Sequence, residues 1–247
     1  MMICIPISAG SEREALKKIR ESVLYADCIE LRMDLIFGGN IKRLIGEIRR
    51  CSRSVRVIVT NRKSDSAGGR VAASAEKGRI ALLAEAVALG ADYVDVELDA
   101  DAALRKELRS LIEKHGNRTI LIVSHHDFAG TPSERALKDI FRACIRAGAD
   151  VVKVATVARN AADNLKVLSL IPYGQRAGKK TIAFCMGEEG RISRILAPYL
   201  GSHFTFASLK RGAESAPGQF TVGEMKKIFK MIQGKTNESG GKETRLG

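Results

Sequence analysis

The sequence contains no tryptophan, and only 5% of its 247 residues are aromatic. There is thus little stacking surface for single-stranded nucleic acid. No run approaches the ~20 consecutive apolar residues of a membrane helix, and MMICIPISAGSE does not have the charged-then-apolar layout of a secretory signal. We therefore expect a cytoplasmic protein with no membrane partner. The five cysteines (Cys4, Cys28, Cys51, Cys144, Cys185) are scattered and never form a C-x-x-C pair. That spacing argues against a disulfide framework and a zinc site, and predicts buried thiols. No G-x-G-x-x-G turn follows the first strand-like segment, which weighs against a dinucleotide-binding open sheet.

Positive charge, in contrast, is plentiful, with 41 Lys and Arg against 28 Asp and Glu, a formal net charge of +13. The cations are spread over most helix-like stretches instead of forming a block, so an anionic small substrate with a basic solvated surface fits better than nucleic acid. A polyanion-binding module is the alternative that does not require catalysis.

Short β-branched runs alternate with helix-period runs along the whole chain. The pattern predicts strands at 3–8, 28–34, 56–62, 93–98, 119–126, 151–157, 181–187 and 204–209. Helices are expected near 11–24, 39–52, 72–89, 101–115, 133–147, 159–176, 189–199 and 221–233. Eight such units close a (β/α)8 TIM barrel; a doubly wound open sheet is the alternative. Ala26-Asp27, Gly90-Ala91-Asp92 and Gly148-Ala149-Asp150 recur before the second, fourth and sixth strands, an internal echo of paired βα units. We expect the barrel to occupy 1–233, followed by a polar, mobile tail at 234–247.

Because strand side chains alternate between faces, Glu30, Arg32 and Asp34 share one side of the second strand, Thr60 and Arg62 of the third, and Ser124 and His126 of the fifth. Lys153 shares its face with Val151 and Ala155, and Met186 closes the seventh. Charged groups against the helix layer would be costly, so these faces should converge inside the barrel, toward the carboxyl ends of the strands where such barrels place their chemistry.

A lysine in the middle of VVKVAT is either an ion-paired core residue, with Glu30 or Asp95 as partner, or a Schiff-base former. An ordinary lysine amine, pKa ~10.4, is neutral in roughly one molecule in 2,500 at pH 7. Burial beside arginine cations favours the neutral, nucleophilic form. His126 is either a hydrogen-bonded core histidine or, at a strand end beside Lys153, a proton carrier. His125 alternates to the other face and is expected to be structural.

Taken together, ELRMD (30–34), SHHDFAGTP (124–132), VVKVAT (151–156) and SAPGQ (215–219) resemble the type I 3-dehydroquinate dehydratases, with weaker agreement at Met186-Gly187, Ser193-Arg194 and Gly201-Ser202. The likeness runs from the second strand to Gln219. It implies a TIM barrel that converts 3-dehydroquinate to 3-dehydroshikimate through an iminium, in the shikimate pathway, without metal or cofactor, and suggests a homodimer. It also implies that Lys153 forms the Schiff base and His126 is the general acid/base. By the same matching Glu30, Arg32 and Arg62 contact substrate, Arg194 binds its carboxylate, and Ser215 and Gln219 belong to a closing loop. Many members carry R-x-x-x-E-G-G after the third strand, whereas this chain has RKSDSAGG (62–69), one residue longer and without the glutamate. Asp65 or Ser66 could support His126 in its place. A class I aldolase, which also uses a barrel lysine, is the nearest alternative enzyme.

Overall fold

The computed structural model describes residues 1–63 and 73–234. Eight parallel strands alternate with helices in the order β1 (Ile3–Ala9), α1 (Glu12–Ser22), β2 (Cys28–Ile36), α2 (Ile41–Cys51), β3 (Arg56–Thr60), α3 (Ala73–Ala88), β4 (Tyr93–Glu97), α4 (Ala102–Lys114), β5 (Ile120–Asp127), α5 (Glu134–Arg146), β6 (Val151–Val157), α6 (Ala161–Leu168), α7 (Leu170–Arg176), β7 (Lys180–Met186), α8 (Arg191–Tyr199), β8 (Thr205–Phe206) and α9 (Val222–Ile232). The hydrogen-bonded order runs β7-β6-β5-β4-β3-β2-β1-β8, the TIM barrel expected from the alternation. No helix among the described residues is long and apolar enough to cross a membrane.

Local chemistry sets the element ends. Ser11, Asn40, Asp101, Ser133, Asn160 and Thr221 each cap a helix by accepting a first-turn backbone N–H, covering donors that would otherwise lack a partner. The helix expected over 159–176 breaks at Ser169 into α6 and α7, because Pro172 cannot donate to the carbonyl four residues earlier. β3 stops at Thr60, and the Asn61 carbonyl accepts from Arg79 of α3 at 2.8 Å, so Arg62 follows the strand instead of lying in it. The eighth strand shrinks to two residues, since Ser208 turns away to bridge Thr221. Four of the cysteines are buried as expected, but Cys51 is only half-buried at the end of α2.

The recurring Asp has a structural task. Asp27 accepts the backbone N–H of Ile3, Asp92 that of Val57 and Asp150 that of Leu121, at 2.7–2.8 Å. Each carboxylate thereby ties the start of an odd strand to the even strand after it. Arg49 and Arg109 pair with Asp92 and Asp150 at 2.7 and 2.8 Å. The residue in the equivalent place before the eighth strand is His203, which turns instead to the Tyr93 hydroxyl at 3.1 Å on the barrel floor.

Two apolar layers follow from strand alternation. The larger, between strands and helices, includes Ile5, Leu31, Val59, Val94, Val123, Val154 and Phe141, all fully buried. The smaller fills the barrel's lower half with Cys4, Cys28, Ile58, Tyr93, Ile122, Val151, Ile182, Phe204 and their neighbours. Polar inward positions are left for the upper half, where the strands end.

Candidate active site

At the carboxyl ends of the strands a cleft enclosing about 200 Å³ is lined by Glu30, Arg32, Arg62, His126, Lys153 and Arg194, with Ser215 and Gln219 at its edge. Every described residue that the sequence singled out for catalysis or substrate contact is therefore brought to one cavity. Asp65 and Ser66 lie outside the described residues, as do positions 235–247 of the expected tail.

Lys153 is 3% exposed. Its Nζ donates to Asp95 Oδ2 at 2.8 Å and stands 3.8 Å from Glu30 Oε1. The structure thus realises the ion pair anticipated for a core lysine, with Asp95 as the close partner. A charge this deeply buried persists only when paired. The Phe206 ring lies 4.7 Å from the same nitrogen, in cation–π range. Asp95 is secured from its other oxygen by Ser124 Oγ at 2.6 Å. Burial alone would raise its carboxyl pKa, but Lys153 and Arg62 outweigh that and hold it below the usual value.

His126 sits one inward position above Ser124 on β5, with Ala155 of β6 as its register partner and Lys153 one inward step below that. Arg62 Nη1 donates to His126 Nε2 at 2.9 Å. Arginine has no lone pair to offer, so Nε2 is the acceptor and the ring is neutral. Burial first, then the positive charges of Arg62 and Lys153, push this imidazole well below its ordinary pKa. His126 Nδ1 is buried and has no hydrogen-bond partner among the described residues. Arg62 also lies 3.6 Å from Asp95 and 3.9 Å from Glu97.

The remaining groups separate by partner. Glu30 accepts from Thr60 Oγ1 at 2.7 Å. Arg32 forms a two-toothed contact with Asp34 at 2.6 and 3.0 Å; burial opposes its charge, but the Asp34 bonds prevail and raise its pKa. Arg194 is fully buried on α8, stacked 4.5 Å over Phe184, and donates from Nη2 to the Pro217 carbonyl at 3.2 Å. Its Nε and Nη1 have no partner among the described residues, and burial lowers its pKa to about 10. Such a guanidinium is poised for an anion that supplies the missing acceptors.

The loop carrying Ser215 and Gln219 rests on the β7 end. The Pro217 carbonyl accepts from Gly187 N–H at 3.2 Å. At Gly218, φ is +79° and a Cβ would come within 2.3 Å of the Gly187 oxygen, so only glycine lets the loop lie this close. Gln219 braces the loop by accepting from Ser215 N–H at 3.0 Å.

The sequence reading missed Glu97 and, as cleft walls, Phe128, Phe184 and Phe206. A signal existed for Glu97: alternation on β4 places Tyr93, Asp95 and Glu97 on one face, the rule already used for the other strands. Glu97 receives Arg79 at 3.0 Å and Lys63 N–H at 3.1 Å; burial nonetheless raises its carboxyl pKa.

Fold and cleft together define a (β/α)8 barrel with a buried lysine and an uncompensated arginine around a small cavity. The model of the type I 3-dehydroquinase family matches residues 3–236, and the chain belongs to that family. It is 37% identical over 231 residues to the 3-dehydroquinate dehydratase of Methanococcus maripaludis, covering 94% of this chain and all of that one. Among solved structures, the type I 3-dehydroquinate dehydratase of Clostridium difficile with covalent modified comenic acid is 26% identical, with TM-score 0.81, covering 95% of this chain and 93% of that one. The 3-dehydroquinate dehydratase of Geobacillus kaustophilus gives TM-score 0.80 at 26% identity, covering 96% and 92%.

Proposed function

We propose that this chain dehydrates 3-dehydroquinate to 3-dehydroshikimate through an imine on Lys153, serving the shikimate route to aromatic amino acids in the cytoplasm. The observation that carries the reading is the convergence, in a member of this family, of Lys153, a neutral His126 and the partly unpartnered Arg194 on one cleft. Its volume of about 200 Å³ gives room for one substituted six-membered ring.

Arg194 takes the substrate carboxylate, and the charge-assisted bonds to its free N–H groups orient the ring. Glu30 and Arg32 meet the ring hydroxyls, and Arg62 leaves His126 Nε2 for the incoming substrate. Lys153 condenses with the ketone. The protonated imine withdraws electrons from the adjacent carbon, His126 Nε2 removes that carbon's proton, and the imidazolium returns it to the departing hydroxyl. Hydrolysis of the imine frees product and lysine. Ser215 and Gln219 cover the cleft while this proceeds. Support for His126 falls to Asp65 or Ser66 in this reading, residues 1–233 form the catalytic barrel, and family likeness suggests a homodimer.

The test is borohydride reduction of the protein with 3-dehydroquinate, followed by peptide mass mapping. An adduct on Lys153 is the expected result, and its absence overturns the imine. Formation of the conjugated enone from 3-dehydroquinate distinguishes the dehydratase from an aldolase. Strongly salt-dependent polyanion binding without turnover would point to a binding module instead.

A further inference from the structure

The carboxylate closest to Lys153 has no part in the reaction just described. Asp95 is 2% exposed and lies behind the lysine, outside the residues lining the cleft; it is therefore not placed to touch substrate. Both of its oxygens are engaged, Oδ2 by Lys153 Nζ at 2.8 Å and Oδ1 by Ser124 Oγ at 2.6 Å. Glu30 is farther from the nitrogen, at 3.8 Å, and the same Oε1 already accepts from Thr60. We propose that Asp95 is the catalytic counterion that keeps the nitrogen of Lys153 cationic through the iminium stage; this rests on the imine reading above and gives it an anion.

The charge balance supports that role. An ammonium and a ketone combine to give a protonated imine and water. The nitrogen gives up two protons, both of which leave in the water, and one positive charge sits on nitrogen before and after. The first proton passes to Asp95 Oδ2 along the existing hydrogen bond, freeing the electron pair that forms the C–N bond, and then returns to the nitrogen; His126, which lines the cleft, carries both protons in turn from the nitrogen to the carbinolamine oxygen, which departs as water. An anion fixed at this distance then favours the protonated imine over the neutral one. Only the protonated form is a strong electron sink for loss of the neighbouring proton. Phe206, 4.7 Å from the nitrogen, acts in the same direction. Ser124 holds the carboxylate still, so the stabilisation requires no rearrangement.

Other charged or titratable groups face this nitrogen from every side. Glu30 stands on β2 and Arg62 beyond β3, 3.6 Å from Asp95 and linked on to Glu97. Arg32 and His126 lie above, and the Cys4 thiol below on β1. Among these only Asp95 is an anion within hydrogen-bond distance.

Asp95→Asn keeps the shape and removes the charge. We expect kcat to fall about 100-fold or more, on the scale of losing one preorganised electrostatic group, with KM within a few-fold of wild type. The alkaline limb of kcat should move to lower pH, because an imine without its anion loses its proton earlier. Borohydride should still label Lys153. Ser124→Ala should shift kcat and the limb in the same direction by less, and stands in if Asp95→Asn fails to fold. A labelled Lys153 with an unmoved limb and wild-type kcat overturns the counterion role alone. An unlabelled lysine in the wild-type protein overturns the imine reading, and this role with it.

Discussion

Arg194 should make the empty protein less stable than it could be, and replacing it should separate stability from activity. Its guanidinium is completely buried, Nε and Nη1 have no acceptor among the described residues, and burial lowers its pKa from the ordinary arginine range to about 10. At ~1.4 kcal/mol per pKa unit, that drop corresponds to a cost of about 3 kcal/mol for holding the charged form in place. The group is charged in both folded and unfolded chains at neutral pH. The cost is therefore constant there, and is relieved only as pH rises through the folded pKa near 10. Arg194→Met retains much of the stacking volume over Phe184 and removes the charge. Allowing for the lost bond to Pro217 and for imperfect packing, the variant should gain about 1–2 kcal/mol in urea unfolding of the empty protein. On the proposed role of Arg194, the same change removes charge-assisted bonds to the substrate carboxylate, each ~1.5–3 kcal/mol. The specificity constant should thus fall by roughly 100- to 1,000-fold. A carboxylate product analogue should raise the melting temperature of wild type but not of the variant. An Arg194→Met protein less stable than wild type and with near-normal turnover would refute the reasoning.

Lys153→Ala should abolish turnover and also cost roughly 3–5 kcal/mol in urea unfolding, because Asp95 and Glu30 lose a buried cation; a variant that is fully stable or active contradicts the ion pair or the imine. His126→Ala should slow turnover severely. Since burial, Arg62 and Lys153 hold this histidine well below its ordinary pKa, the wild-type acid limb assigned to it should lie below pH 6.5 in a pH–rate profile, and a limb above that value would count against the assignment. His203, lowered to about 4 by burial and then by Lys180 and Arg56, takes up its proton on unfolding. Stability should therefore drop as pH falls from about 6.5 toward 4, by roughly 1–3 kcal/mol, and His203→Asn should flatten that slope in unfolding curves measured at several pH values.

The barrel was legible because its signal is periodic and repeated. Eight β-branched runs and the three Asp-bearing turns survive loss of detail at any one boundary. The misplaced ends have local causes that periodicity does not register. Asn61 is drawn to Arg79, Ser208 to Thr221, and Pro172 leaves a carbonyl unpaired. For the site, alternation was enough to place Lys153 and His126 on one surface, since it needs only the strand and not its neighbours. Arg194 was different. It lies on a helix that packs outside the strands, and no strand rule aims its side chain at the cavity; only the resemblance singled it out. The pairing of Arg62 with His126 Nε2 was also beyond sequence, being a choice among several donors fixed in three dimensions.

The strand order has two ends, β7 and β8, which are not paired with each other among the described residues. That same place lacks the carboxylate tie, since His203 stands where the aspartates do elsewhere. Ties and ladders run unbroken through the strands that bear Lys153, Asp95 and His126. Between the β7 and β8 ends run one backbone hydrogen bond, from His203 N–H to the Thr181 carbonyl at 2.8 Å, and the contact of Phe184 with Phe206 at 5.8 Å, and there Arg194 passes from the helix layer into the cleft. The ring thus divides its cleft between two settings, with Lys153, Asp95 and His126 on strands held by continuous ladders and Arg194 at the one seam without a ladder among the described residues.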